Sequence, residues 1–330
     1  MKLMDTANIE TIVNYYIADM ERRNCTGDSV TASEKVLWRF VRWLPDGGGT
    51  ALKMIEADAP NDYITFLQNK TRRYLDNPYK RVEEGKLSPF TIHKEAKTLR
   101  AFGSWLMREN FVNPFDRLVM PKLPKKIIVP LSDDEIEKIV GAINPTTMTG
   151  ARQYAIVMVL LDSGLRINEA ATAKMKDLDL NLRQLNVTGK GRKDRTVAFG
   201  RRCAQALMRY THLHRKPAND SVDEIFLSLD GLPLTRDGFG QIIKHIRSAS
   251  GVRRLHTHLF RHTFAVRYLL GGGDVFHLQK LLGHESLEMT RRYVELTKTQ
   301  AVDGFDKFSP ADRLGILDDR RFGKRRKTKD

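Results

Sequence analysis

Cysteine is almost absent from this 330-residue chain: Cys25 and Cys203 are the only two. They lie far apart and match neither a zinc spacing nor a disulfide framework, so both are read as buried or idle thiols. No apolar run approaches the roughly 20 residues of a membrane span. The opening MKLMDTANIE lacks the apolar core of a secretion signal. Basic amphipathic anchors and lipidation signals are missing too. These absences lead to the expectation of a cytoplasmic protein with no membrane partner. Acid is also in short supply, with 40 Asp plus Glu against 56 Lys plus Arg, a net charge of +16. Neutralising a phosphate releases condensed counterions, so an excess of this size favours nucleic acid as the partner. Hydrophobic residues, at 41%, suffice for a packed globular core.

The first 120 residues read as helical. From Thr91 to about Asn110, Ile92, Ala96, Leu99, Phe102 and Leu106 recur at steps of three and four, a stripe facing a core. Lys94, Lys97 and Arg108 gather on the other side, either as a solvated face or as phosphate contacts. The segment 121–130, PKLPKKIIVP, holds three prolines and three lysines. Proline removes donors and disfavours helix before it, so this segment reads as an extended linker whose Lys125 and Lys126 could track DNA. Ser132 and Glu135 form a capping box that opens a second domain, 131–318. There, 154–161 is an apolar helix ended by Gly164, and NLRQLNVTGKGRKDRTVAFG is a strand pair around a basic turn. The tail, 319–330, is basic. The fold class expected is mixed, mainly α, with a small antiparallel sheet in the second domain.

Four segments stand out: SGLRINEA with Arg166, TGKGRKDR with Lys190, HLFRHTFA with His258 and Arg261, and LLGHESLEMTRRYV with His284 and Tyr293. In this order, with the last His nine positions before the Tyr, they resemble the signature of the tyrosine recombinases of the phage-integrase family. TIHKEAKTLRAFGSWLMRENFVNP is similar to that family's core-binding domain, so the likeness covers most of the chain. It implies a helical core-binding domain at 1–120 and a catalytic domain at 131–318. Together they would clamp a duplex and cut and rejoin it through a 3′-phosphotyrosine at Tyr293. The covalent link conserves bond energy, so no cofactor and no metal are expected.

The chemistry explains the residue types. Phosphoryl transfer builds charge on non-bridging oxygens, where the arginine fork grips two oxygens without losing its proton. Arg166 and Arg261 are the candidates, and Arg166 falls between a helix end and the next helix start. His258, three before Arg261 in a helix that Thr257 can cap, would share a face with it and take the proton from Tyr293. Leu259, Phe260, Val266 and Leu270 would reach the core. Tyrosine titrates near 10, so Tyr293 needs a base and cations nearby. Ser286 could cap its helix. The resemblance gives His284 a hydrogen bond to the scissile phosphate and Lys190 the role of general acid for the leaving 5′-oxygen. Lys193 and Arg195, in the same turn, are read as DNA-backbone contacts. His256, His258 and His262 invite a zinc reading, but neither Cys nor carboxylate completes the set. His262 is assigned structural hydrogen bonds beside the site.

Ala170, Ala171 and Ala173 stand where many relatives carry bulkier aliphatics, a change in packing that leaves the catalytic set intact. No small domain precedes the core-binding region, so arm-site binding is not expected. After Tyr293, Ser309, Pro310 and Asp312 look like a helix start, followed by apolar Leu314, Ile316 and Leu317. This segment can fold back on its own domain. The resemblance implies instead docking on a neighbour, in a ring of four protomers around two duplexes. Two rivals are a type IB topoisomerase and a regulator that binds DNA with vestigial catalytic residues. The length beyond Tyr293 and the missing arm domain mildly favour a mobile-element enzyme over a chromosome-dimer resolvase.

Overall fold

The computed structural model describes residues 7–46, 49–73, 81–124, 129–189, 194–284 and 286–297. The chain divides into two compact units, Met1–Lys126 and Ile127–Asp330. The segment expected to dock on a neighbour, and the basic tail after it, lie outside the described residues.

In the first unit, four helices, α1 (Ile9–Arg22), α2 (Gly27–Trp43), α3 (Ala59–Asn69) and α4 (Pro89–Arg108), carry a shared core. A two-residue antiparallel pair, β1 (Arg72–Arg73) and β2 (Glu83–Glu84), lies between α3 and α4. Helix α4 begins two residues before Thr91, the start read from the sequence. Ser88 accepts from the Thr91 amide at 3.1 Å, and Pro89 takes the first turn, where its missing N–H costs nothing. It stops before Asn110, whose φ of 60° leaves the helical region. Ile92, Ala96, Leu99, Phe102 and Leu106 are all buried, as the stripe requires. Phe115 packs edge-on against Phe102, with ring centroids 5.5 Å apart. One carboxylate enters this core. Glu95 pairs with Arg39 and lies 3.5 Å from the Tyr63 hydroxyl. Burial pushes its pKa up and the Arg39 charge only partly offsets that.

The second unit opens with α5 (Asp133–Gly141) on the expected Ser132–Glu135 capping box. Arg254 ties this entry down, donating to the carbonyls of Val129 at 2.6 Å and Pro130 at 2.7 Å and to Glu135. Helix α6 (Met148–Ser163) runs through the core and carries Ala155, Ile156, Val157 and Leu160, each almost fully buried. Apolar on every side from Tyr154 to Leu161, this stretch is an interior helix. It ends at Gly164, where φ is +62° and an added Cβ would stand 2.4 Å from Phe264 Cδ1, so only glycine fits.

Helix α7 (Ile167–Thr172) follows at once. The sheet then forms from β3 (Leu178–Asp179), β4 (Gln184–Thr188) and β5 (Asp194–Ala198), antiparallel in that order. Leu185, Val187 and Val197 turn inward while their neighbours face out. Five more helices follow: α8 (Arg201–Arg209), α9 (Arg236–Ser250), α10 (Thr257–Leu270), α11 (Val275–Leu282) and α12 (Leu287–Thr297). The fold is therefore the mixed, mainly helical one expected, with its small antiparallel sheet. Two details differ. Thr257 is the first residue inside α10, and the cap position belongs to His256, extended and without a side-chain cap bond. Leu270 is 45% exposed, because it closes α10 just where the helix leaves the core.

Candidate active site

The C-terminal end of α11 organises the site. A helix leaves its last carbonyls unpaired at the negative end of its dipole, a natural seat for cations. Three consecutive carbonyls there each take a guanidinium from a different element. Arg195, on β5, donates Nε–H to Leu281 O at 2.8 Å. Arg261, on α10, donates Nη2–H to Leu282 O at 2.6 Å. Arg166, at the cap of α7, donates Nη2–H to Gly283 O at 3.3 Å. Gly283 makes the stop, in the left-handed region at φ +60°, and His284 follows it.

Arg261 is also bonded to the carbonyl of Gly164 at 2.8 Å, so the ends of α6 and α11 grip it together. It is 5% exposed, and burial, then Arg166, pulls its pKa down to about 10. It stays charged at neutral pH. Glu169 is the counter-charge to this group, at 4% exposure. Arg195 meets both its oxygens, at 2.8 and 2.7 Å, while the Arg166 backbone N–H and Nη1 donate at 2.7 and 3.0 Å. Burial alone would raise the Glu169 carboxyl, but these bonds more than reverse that and leave its pKa below the ordinary value. Three guanidiniums against one carboxylate leave the site cationic, as an anionic substrate demands.

Tyr293 enters from α12 and is 4% exposed, packed with Ala265, Val266, Leu278 and Leu282. Its hydroxyl sits 2.7 Å from His262 Nδ1. The ring of His284 lies nearly parallel to the Tyr293 ring, with centroids 6.3 Å apart. His284 Nδ1 is 2.9 Å from Thr290 Oγ1. Burial, then the charges of Arg261, Arg166 and Arg195, pulls the His284 pKa down to about 4. The ring is neutral at pH 7 and would be a hydrogen-bond donor, not a cation.

That shift has a stability consequence with a definite sign. The folded pKa is below the ordinary 6.5, so as pH falls the unfolded chain takes up this proton first. The contribution is whole above about pH 6.5 and is lost as pH falls through about 4. Discounted for the solvent screening of a half-buried ring, its size is on the order of 2 kcal/mol. Urea unfolding at several pH values between 7.5 and 4 should therefore show a slope that His284→Gln flattens. Parallel slopes in the two proteins would contradict it.

The structure thus brings Arg166, Arg261, His284 and Tyr293 together. His258 is exposed on the first turn of α10, one turn before the buried Arg261, and it is His262 that meets the Tyr293 hydroxyl. The reading of Arg195 as a DNA-backbone contact is corrected: its side chain is 12% exposed, and its fork is spent on Glu169 and Leu281. The strand-pair pattern puts it in the basic turn, whereas it lies one residue inside β5 with its side chain on Glu169 and Leu281. Lys94, Lys97 and Arg108 are exposed on α4. Lys190, Lys193, Lys125 and Lys126 lie outside the described residues. Two residues escaped the sequence reading. Glu169 had a local signal, a glutamate three residues after a helix cap, obscured because the cap residue is Arg166 and not serine or threonine. Thr290, fully buried on α12, had none.

The phage integrase family profile matches residues 130–300. The XerC tyrosine recombinase of Bacillus pumilus (strain SAFR-032) is 36% identical over 300 residues, 88% of this chain and 93% of that protein. The XerC tyrosine recombinase of Bacillus subtilis (strain 168) is 34% identical over 245 residues, 72% of this chain and 79% of that one. Among solved structures, the Tn1549 transposon integrase with circular-intermediate DNA superposes with a TM-score of 0.69 at 20% identity, covering 87% of this chain and 94% of that one. The XerH site-specific recombinase bound to palindromic difH DNA superposes with a TM-score of 0.64 at 21% identity, covering 88% and 84%.

Proposed function

Because the chain belongs to the phage integrase family, as a tyrosine recombinase that cleaves and rejoins DNA at specific sites, we propose that Tyr293 is its nucleophile and that Arg166, Arg261 and His284 hold the scissile phosphate. One observation carries the assignment: the stacked His284 and Tyr293 rings lie beside the arginines gathered at the end of α11. Arg166 and Arg261 would offset charge on the non-bridging oxygens, and His284 would donate to one of them. Tyr293 would attack phosphorus, forming the phosphotyrosyl bond as the bond to the 5′-oxygen breaks. His258 accepts the phenol proton in this reading, and Lys190 returns one to the leaving oxygen. His262, already at the Tyr293 hydroxyl, holds the phenol between reactions.

Lys94, Lys97, Arg108, Lys125, Lys126 and Lys193 serve as phosphate contacts along the duplex, supported by the net charge of +16. The working assembly is a homo-tetramer on two duplexes, in the DNA-holding cytoplasm. Sulfur in place of the bridging 5′-oxygen tests the acid and the cations separately, since a thiolate leaves without a proton. Lys190→Ala should regain cleavage on that substrate, and Arg166→Ala should not. Equal failure of both would take Lys190 out of the role. If the protein relaxes supercoils as a monomer and never joins two sites, a topoisomerase-like activity replaces the tetramer.

A further inference from the structure

We infer that Thr290 is a positioning residue that fixes the tautomer of His284, donating its hydroxyl proton to Nδ1 and so presenting Nε2–H to the phosphate. The inference rests on the assignment of His284 made above, and adds to it the group that decides which ring nitrogen carries the proton.

Thr290 has no exposed surface. A hydroxyl buried so completely must spend its proton on an acceptor, since an unmade hydrogen bond in the interior is costly. Threonine in a helix often donates to the carbonyl four residues back, and Thr65, Thr98, Thr172 and Thr263 all do so here. Thr290 differs. Among the described residues its hydroxyl meets His284 Nδ1, at 2.9 Å. A ring nitrogen that accepts carries no proton, so the single proton of a neutral imidazole resides on Nε2. The groups facing His284 are Arg261, Arg166, Arg195 and His262, which oppose a second proton on the ring.

The consequence for catalysis is a matter of sign. With Nε2–H toward the phosphate, the ring offers a donor to an oxygen that gains charge. In the other tautomer a lone pair would face that oxygen and repel it. The Gln279 side chain and the Gln279 carbonyl hold the His284 backbone at 3.3 and 3.1 Å, so the ring's orientation is set at both ends.

The test reads the ring directly. In nitrogen-15 correlation spectra of the wild-type protein without DNA, His284 should show the Nε2–H pattern at pH 7. Thr290→Val keeps the shape and removes the donor, and should give a tautomer mixture with the cleavage rate down roughly tenfold. Affinity for target DNA should not change. Thr290→Ser should restore both the spectrum and the rate. An Nδ1–H ring in the wild type overturns the inference, as does a Thr290→Val spectrum identical to wild type. So does a Thr290→Ser protein that stays as slow as the valine variant. His284→Ala separates the two levels: full cleavage in that variant would overturn the catalytic reading of His284, while the spectra would still report on Thr290.

Discussion

Tyr293→Phe is expected to abolish the covalent protein–DNA adduct while leaving affinity for target DNA unchanged. The phenyl ring can occupy the same space among Ala265, Val266, Leu278 and Leu282, so the fold is kept and only the hydroxyl is removed. Loss of a nucleophile from a group of residues that act as a unit costs roughly 10⁴-fold or more. The measurement is a denaturing gel with end-labelled target duplex, beside a mobility shift for binding. An adduct of undiminished intensity would move the nucleophile elsewhere, and peptide mapping of the trapped DNA would then find it. Tyr268, whose ring is tilted against Phe264 on α10, is one alternative phenol in this unit.

The second large effect belongs to a residue that makes no bond in the reaction. Glu169→Ala should lower the stability of the unit containing α5 to α12 by about 3–5 kcal/mol, because it strands Arg195 beside Arg166 and Arg261 with no counter-charge. In a unit of this size that amounts to a melting temperature lower by on the order of 10 °C. Cleavage should fall with it, since Arg166 loses the partner that orients it at 3.0 Å. Glu169→Gln keeps the shape and loses the charge, and should lie between. Calorimetry on the full chain would record both. A melting curve that Glu169→Ala does not move would mean that the arginines hold their places without it.

These two residues mark what was legible in the sequence and what was not. Tyr293, Arg166, Arg261 and His284 could be singled out because each sits in a short local pattern whose order and spacing carry meaning. So could the capping box at Ser132, the stop at Gly164 and the strand pair, because caps, turns and alternation act between near neighbours. The partners of those residues are encoded differently. Arg195 reaches Glu169 across 26 positions, and Arg261 reaches Gly164 across 97. No periodicity or spacing carries such a pairing, so Glu169 draws no reading from the sequence and Arg195 reads as a DNA-backbone contact. The helix limits of α4 shifted by two residues for a related reason: the stripe reports only the buried face, whereas Ser88 and Pro89 set the end.

The three arginines at the end of α11 are specified by peptide bonds, and this changes what variation among related sequences can reveal. Leu281, Leu282 and Gly283 offer carbonyl oxygens, which any amino acid supplies. The apolar side chain at 281 can therefore drift without touching the anchor, provided the helix end keeps its path, whereas Leu282 is held by its packing with Tyr293. Paired substitutions, the usual trace of a contact between two side chains, should link Arg195 with Glu169. They should be silent between Arg261 and either of its two partners. The most deeply buried arginine of the site would leave no correlated signature at all.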